Sequence, residues 1–174
     1  MTAKEFQKLV TEDRSDFLDR FLALLRDRQI DYCVIGGLAV NAYAEPVVTL
    51  DCDVVVISSR VDELTKELRQ QCRIERFEHS LNLTDSQSKV RIQIQMDDHF
   101  QGFLPRKRKA VVLDREMFVA SPEDLLVSKV QAFQEPKRRE SKRLKDLADI
   151  RRLIEVFPEL ESKVPADVRG RIHL

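Results

Sequence analysis

Apolar residues recur along this chain with two different periods, which together predict an α/β protein. From Phe17 to Leu25 they recur every three or four residues, as on the buried face of a helix. From Val90 to Met96 they alternate strictly with polar residues, as in a strand with one buried face. Short, mostly apolar stretches over residues 30–36 and 51–57 predict two further strands.

Local start and stop signals divide the rest of the chain into helices and short strands. Thr2 and Glu5 have the spacing of a capping box at the start of a first helix. Ser121 followed by Pro122 predicts the start of another helix, whose buried face carries Leu125, Leu126, Val130 and Phe133. The other predicted elements are a helix capped by Ser58-Ser59, strands at 73–77 and 79–83, a hairpin joining 110–113 to 117–119, a last long helix over 142–157 with Leu144 on its apolar face, and a short element at 164–168.

Composition narrows the class of protein. A chain of 174 residues is long enough for one domain with its own core, so we expect a single domain over 1–174. Thirty basic and thirty acidic side chains cancel, so that any contact with a polyanion must be local. No apolar stretch approaches the ~20 residues that span a bilayer, and the N-terminus is too polar for a signal peptide. We therefore expect a cytoplasmic protein without membrane contact.

Two carboxylates form the most informative pattern. Asp51 and Asp53 lie two residues apart at the start of a predicted strand, so both side chains project from the same face. Like charges at this spacing repel each other, which favours a bound cation between them. A divalent metal, Mg²⁺ above all, is the expected ligand. The three cysteines and three histidines show no comparable ligand spacing.

A pair of glycines precedes these carboxylates. Gly36 and Gly37 follow the first predicted strand at the point where a helix begins. Backbone N–H groups at such a turn can receive the oxygens of a triphosphate. The alternative is that the glycines only permit a tight turn between strand and helix.

Three segments in this order resemble the nucleotidyltransferase superfamily, and most closely the small bacterial nucleotidyltransferase-like proteins that include abortive-infection toxins. The segments are Val34 to Tyr43 with Thr49 to Val56, Ser121 to Lys129, and Lys145 to Ile150. The resemblance implies a mixed β-sheet flanked by helices, with further helices at the C-terminal end. It also implies a Mg²⁺-dependent transfer of a nucleotidyl group from a nucleoside triphosphate (NTP) to RNA, such as tRNA, or to a protein. A toxin of this kind would have an antitoxin partner.

The resemblance also implies roles for individual residues. Asp51 and Asp53 would bind the metal, and Lys129 and Asp146 would complete the catalytic set. Nucleotide-binding roles fall to four positions: Gly36, Gly37, Gln93 and Lys129. Two structural alternatives stand beside these roles. Lys129 would extend its amine to water from the edge of an apolar stripe, and Asp146 and Asp149 would form ion pairs with Arg143, Lys145 or Arg152.

The third carboxylate of the superfamily has no counterpart at the expected place. The polar row of the strand at 90–96 offers Gln93 and Gln95, and an amide neither adds negative charge nor accepts a proton. Asp97 continues that row if the strand continues, and otherwise belongs to an exposed turn. The sequence therefore leaves three functions open: an active transferase, a nucleotide- or RNA-binding module without catalysis, and a toxin–antitoxin partner protein.

Basic residues cluster twice, at 106–109 and at 137–145. Most such runs are solvated faces, and these are not interleaved with aromatic residues as in single-strand binders. The alternative is a local footprint for RNA or triphosphate.

Overall fold

The computed structural model describes residues 1–173, and within them seven strands form one mixed sheet with the order β3-β4-β5-β2-β1-β7-β6. In chain order the strands are β1 (Tyr32–Ile35), β2 (Asp51–Val56), β3 (Arg73–Arg76), β4 (Ser80–Thr84), β5 (Arg91–Gln95), β6 (Arg108–Val112) and β7 (Arg115–Val119). Strand β2 lies near the middle of the sheet, antiparallel to β1 and parallel to β5.

Helices lie before, between and after the strands. They are α1 (Ala3–Val10), α2 (Phe17–Asp27), α3 (Gly36–Val40), α4 (Val61–Leu68), α5 (Asp98–Gln101), α6 (Pro122–Gln134), α7 (Glu140–Val156) and α8 (Ala166–Ile172). This arrangement confirms the predicted α/β fold with helices at the C-terminal end. No helix in residues 1–173 is both long and apolar enough to cross a membrane.

The apolar periods correctly locate much of the core. The predicted stripe on α2 is buried from Phe17 to Leu25, and the alternating residues Ile92 and Ile94 of β5 are fully buried. Helix α6 begins as predicted, with the Ser121 hydroxyl accepting a hydrogen bond from the backbone of Asp124. The capping box of Thr2 and Glu5 is also present. The starts of α1 and α6 are predicted correctly because a helix cap depends only on residues a few positions apart in the sequence.

The structure differs from the sequence prediction at several places. Ser58 and Ser59 form a short 3₁₀ turn rather than a side-chain cap, and α4 begins only at Val61. On α7, Leu144 is 60% exposed, although its spacing assigned it to the buried face. Asp146 and Asp149 are buried instead. The buried face of α7 therefore carries two aspartates beside its apolar residues Ile150, Leu153 and Ile154, which indicates a site within the packed face of the helix.

Candidate active site

The turn from β1 into α3 brings the backbone against Asp53. Gly36 has φ of +72°, a conformation that side chains disfavour. A Cβ atom on Gly36 would also lie only 2.6 Å from Oδ2 of Asp53. The contact at Gly37 is less close, because a Cβ atom added there would lie 3.5 Å from Oδ2 of Asp149. Gly36 is thus required both by its backbone conformation and by the nearby carboxylate.

Asp51 is held by two cations. Its Oδ1 accepts a hydrogen bond from Nε of Arg91 at 2.7 Å, and Arg91 is its register partner on β5. Its Oδ2 lies 3.3 Å from Nζ of Lys142, which reaches across from the first turn of α7. Asp51 remains partly exposed. Its two oxygens are therefore shared between the sheet and the last long helix.

Asp53 differs from Asp51 in having no such partner. Within residues 1–173 its carboxylate takes part in no side-chain hydrogen bond and no salt bridge. Burial raises the pKa of Asp53 to about 6, the negative charge of Asp51 adds to the rise, and the positive charge of Lys129 opposes it. The fold thus places a carboxylate where its charged form is costly unless a cation comes from outside the chain.

Lys129 lies in a buried ion-pair cluster between α6 and α7. It is 9% exposed, with Nζ 2.7 Å from Oδ2 of Asp149 and 3.4 Å from Oδ1 of Asp146. Asp146 is 1% exposed and accepts two further hydrogen bonds from Arg138, at 2.9 and 3.0 Å. The Lys129 amine therefore points into the protein and does not extend to water. The partners of Asp146 are Arg138 and Lys129 rather than the three basic residues named from the sequence.

Asp149 and Arg152 are site residues that sequence reasoning treated only as an ion pair. Arg152 donates to Asp149 at 2.8 Å, to Oδ1 of Asn41 at 2.7 Å and to the carbonyl of Glu45 at 2.5 Å. Asn41 in turn exchanges two hydrogen bonds with the backbone of Val47. This network ties the segment between α3 and β2 to α7. Asp149 and Arg152 lie three residues apart on one helix, and this spacing is the sequence signal that could have identified the pair.

A cleft of about 430 Å³ opens beside Asp51 and Asp149. Its lining includes the apolar side chains of Val10, Val47 and Val48. Four cationic side chains also line the cleft: Lys89, Arg91, Lys145 and Arg152. The cleft is thus partly apolar, and its four cations outnumber its two carboxylates.

Gln93 is the register partner of Asp53 on the parallel strand β5. Residues that are aligned across a sheet project from the same face, so Gln93 and Asp53 share one. The Gln93 amide donates to Oγ of Ser80 at 3.2 Å. Asp97 does not continue this row, because β5 ends at Gln95 and the Asp97 side chain accepts a hydrogen bond from the backbone of His99 at the start of α5.

The two basic runs differ in their partners. All four residues of 106–109 form ion pairs, with Asp124, Asp31, Glu123 and Glu116 respectively. In the second run Arg138 and Lys142 turn inward to Asp146 and Asp51, and Arg143 donates to backbone carbonyls that follow α6. The first run is therefore neutralised locally, and the second contributes to the carboxylate site.

Similar folds occur among solved structures of nucleotidyltransferases. The structure of ANT(2″)-Ia in complex with adenylyl-2″-tobramycin matches with a TM-score of 0.67 and 17% identity, over 89% of this chain and 96% of that one. The lincosamide antibiotic adenylyltransferase LnuA, bound to lincomycin, matches with a TM-score of 0.58 and 17% identity, over 82% and 97%. A nucleotidyltransferase-like protein from Paracoccidioides brasiliensis matches with a TM-score of 0.55 and 18% identity, over 96% and 85%.

The family model described as "Nucleotidyl transferase AbiEii toxin, Type IV TA system" matches residues 51–169. The chain belongs to this family. A search of curated protein sequences gave no significant match. The AbiEii match begins at Asp51 and includes Asp53, Lys129 and Asp146, whereas Gly36 and Gly37 precede it. The resemblance seen in the sequence is thereby confirmed at the level of the family.

Nucleotidyltransferases generally use an NTP with a divalent metal, and the donor set in this AbiEii member fits such an ion. Asp51 and Asp53 present hard carboxylate oxygens on one face, and Asp53 forms no ion pair within residues 1–173. Within residues 1–173 no group of three or more His, Cys, Asp or Glu residues is placed to hold a metal. An ion at Asp51 and Asp53 would therefore depend on oxygens of the substrate to complete its coordination.

Proposed function

We propose that this AbiEii-family chain transfers a nucleotidyl group from an NTP to an RNA acceptor, with Mg²⁺ held by Asp51 and Asp53. The family membership and the fold support the reaction class. The acceptor and the metal are the parts that experiment has to test. A catalytically silent nucleotide-binding module and a toxin–antitoxin partner protein are the alternatives.

The position of Asp53 carries the proposal. Its carboxylate lies against Gly36, shares a face with Asp51, and has a pKa raised to about 6 by burial. A fold gains nothing from a half-buried carboxylate that forms no ion pair within residues 1–173, since partial desolvation disfavours its charged form. Such an arrangement is typical of a site that receives an external cation. Bound there, Mg²⁺ would offset the charge that develops on the triphosphate as pyrophosphate leaves.

Other residues of the chain would bind and orient the substrate. Gly36 leaves the backbone open beside Asp53, and Gln93 lies next to Asp53 on the same face with its amide held by Ser80. Lys129 supplies a positive charge behind the carboxylates, fixed in place by Asp146 and Asp149. A charge fixed in advance stabilises a developing anion without reorganisation.

The cleft beside Asp51 favours an anionic acceptor. Three of its four cations are paired within the chain, Lys89 with Glu12, Arg91 with Asp51 and Arg152 with Asp149. Lys145 forms no ion pair within residues 1–173 and suits a phosphate of an RNA end such as that of tRNA. The apolar side chains that line the same cleft suit contact with an unstacked base. We propose a cytoplasmic reaction, where NTP and RNA meet. In a bacterial toxin–antitoxin pair this activity would be toxic and an antitoxin would restrain it.

Labelling with each of the four α-³²P NTPs in the presence of Mg²⁺ tests the proposal. Total RNA, a tRNA fraction and a protein extract serve as separate acceptors. We expect label in RNA, and none with the double variant Asp51→Asn, Asp53→Asn. The exposed carboxylate Asp62 on α4 provides the matched control variant Asp62→Asn, which should label as wild type does.

Each other result selects an alternative. Label in protein instead of RNA would show that the acceptor is a protein. Metal-dependent NTP binding without labelling of either acceptor would favour the binding module. A wild-type protein that binds no NTP with or without Mg²⁺ would favour the partner protein.

A further inference from the structure

We propose that Lys142 is a substrate-binding residue that changes partner during the reaction cycle: it pairs with Asp51 in the free protein and binds triphosphate oxygens once Asp51 holds a metal. This inference rests on the proposed function. It concerns a residue that lies outside the two glycines, the aspartate pair and Lys129. Its evidence is the contact that Lys142 makes and the contacts that it lacks.

The Lys142 amine lies where a metal-bound anion would come. Its Nζ is 3.3 Å from Oδ2 of Asp51, and its positive charge also acts on Asp53. Oxygens of a triphosphate that share a metal with Asp51 would therefore lie within a few ångströms of this amine. The side chain is 32% exposed, so it has room to move by a rotamer change.

Lys129 and Lys142 differ in how firmly they are held. Lys129 has two carboxylate partners, Asp146 and Asp149, and is buried. Lys142 has one within residues 1–173, and that partner is the proposed metal ligand Asp51. When Asp51 binds a metal instead, Lys142 loses this carboxylate partner and becomes available to an anion. Lys129 keeps its partners throughout and serves as fixed charge.

Arg91 binds the other carboxylate oxygen of Asp51 in the free protein. Its Nε donates to Oδ1 at 2.7 Å while most of its side chain is exposed. In the free protein both oxygens of Asp51 are therefore occupied by cations of the chain. Metal binding has to compete with both contacts, so that removal of one cation should favour the metal.

The proposal predicts opposite effects of one substitution on two ligands. For Lys142→Gln, the affinity for Mn²⁺ alone should rise roughly threefold to fivefold, since a partly exposed ion pair is worth at most about 1 kcal/mol. The affinity for the Mn²⁺ complex of a non-hydrolysable α,β-methylene NTP should instead fall about tenfold, because a charge-assisted contact to phosphate is lost. A substitution that merely disturbed the site would weaken both.

Mn²⁺ titration followed by electron paramagnetic resonance measures the first affinity, and calorimetry with the methylene NTP measures the second. Lys142→Ala repeats the test without the amide, and thermal melting checks that both variants are folded. Lys66→Ala changes an exposed lysine on α4 and should leave both affinities unchanged. Tighter metal binding with weaker NTP binding would establish the exchange. Unchanged affinities, or a loss of both, would overturn it.

A failure of this inference can be told apart from a failure of the proposed function. Asp51→Asn should abolish tight Mn²⁺ binding if the metal site is correct. If it does so while the Lys142 variants change neither affinity, only the role of Lys142 is wrong. If Asp51→Asn leaves Mn²⁺ binding intact, the metal site itself lies elsewhere and both ideas are wrong.

Discussion

Two regions of this molecule withdraw charged groups from solvent, and they differ in whether the chain supplies the opposite charge. At the β6–β7 hairpin, Arg115 is 5% exposed and donates to both oxygens of Asp19 on α2, at 3.0 and 3.1 Å. It also donates to Gln7 on α1 at 2.6 Å, and Lys4 approaches Asp19 at 2.8 Å. At the start of β2, Asp53 has no such partner within residues 1–173.

The pKa values of the two aspartates express this difference. Burial alone would raise the pKa of Asp19, but hydrogen bonds from Arg115 and Lys4 outweigh it and lower the pKa below its ordinary value. Burial raises the pKa of Asp53 to about 6, because the nearby charges of Lys129, Lys142 and Arg138 do not compensate for it. The first region has its opposite charges within the folded chain, whereas the second is the one proposed to receive a metal. A structural ion pair and a functional site can thus be distinguished by which charges the chain itself satisfies.

The largest expected effect is on catalysis at Asp53. Asp53→Asn should lower nucleotidyl transfer by roughly 10³-fold, about 4 kcal/mol in the barrier, because a principal stabiliser of transition-state charge loses its ligand. Asp19→Asn should leave the rate per folded molecule unchanged. Single-turnover labelling of RNA measures both. Equal losses in the two variants would remove the distinction between the regions.

The next effect is on stability at Asp19. Asp19→Asn leaves the buried Arg115 without a carboxylate partner within residues 1–173, so we expect a loss of roughly 3 kcal/mol in the free energy of unfolding. Since the folded pKa of Asp19 is lowered, its contribution is present above the unfolded pKa of 3.8 and is lost as pH falls through the folded value. Urea titrations between pH 3 and 7 test this. A variant as stable as wild type would show that Arg115 is satisfied without Asp19.

A smaller effect of opposite sign is expected at Asp53. In chelator, Asp53→Asn should raise the free energy of unfolding by roughly 1–3 kcal/mol at pH 7.5, since it removes a carboxylate whose charged form is disfavoured. Because the folded pKa is raised, wild-type stability should fall as pH rises from about 4 to about 6, and the variant should lack this component. Urea titrations with a chelator measure it. A destabilised variant would mean that the chain itself satisfies Asp53.

The contrast also shows what the sequence can predict. The shared face of Asp51 and Asp53 follows from the period of a strand, and the buried stripe of α2 follows from the period of a helix. The contact of Lys142 with Asp51 joins residues 91 positions apart, and it depends on how α7 packs against α6 and α3. The same packing buries Asp146 and exposes Leu144, against the apolar pattern. Arg115 carried no local signal, because its partners lie on α1 and α2.

The smallest effect concerns Gln93, which decides how far the site falls short of a three-carboxylate site. Gln93 shares a face with Asp53, and its amide is held by Ser80. Gln93→Glu keeps the length of the side chain and adds one negative charge, so the affinity for Mn²⁺ should rise about tenfold, which corresponds to about 1.4 kcal/mol.

The same substitution should act on the chelated protein in the opposite direction. A third carboxylate beside Asp53 adds repulsion when no metal is present, so the chelated variant should be less stable than wild type. Gln95→Glu, two residues further along β5, provides a control with the same change of charge at a position that pairs with Val55. Tighter Mn²⁺ binding by Gln93→Glu than by Gln95→Glu would place position 93 beside the metal. If the two variants bind Mn²⁺ equally well, the added charge acts only at long range and Gln93 is not the missing ligand position.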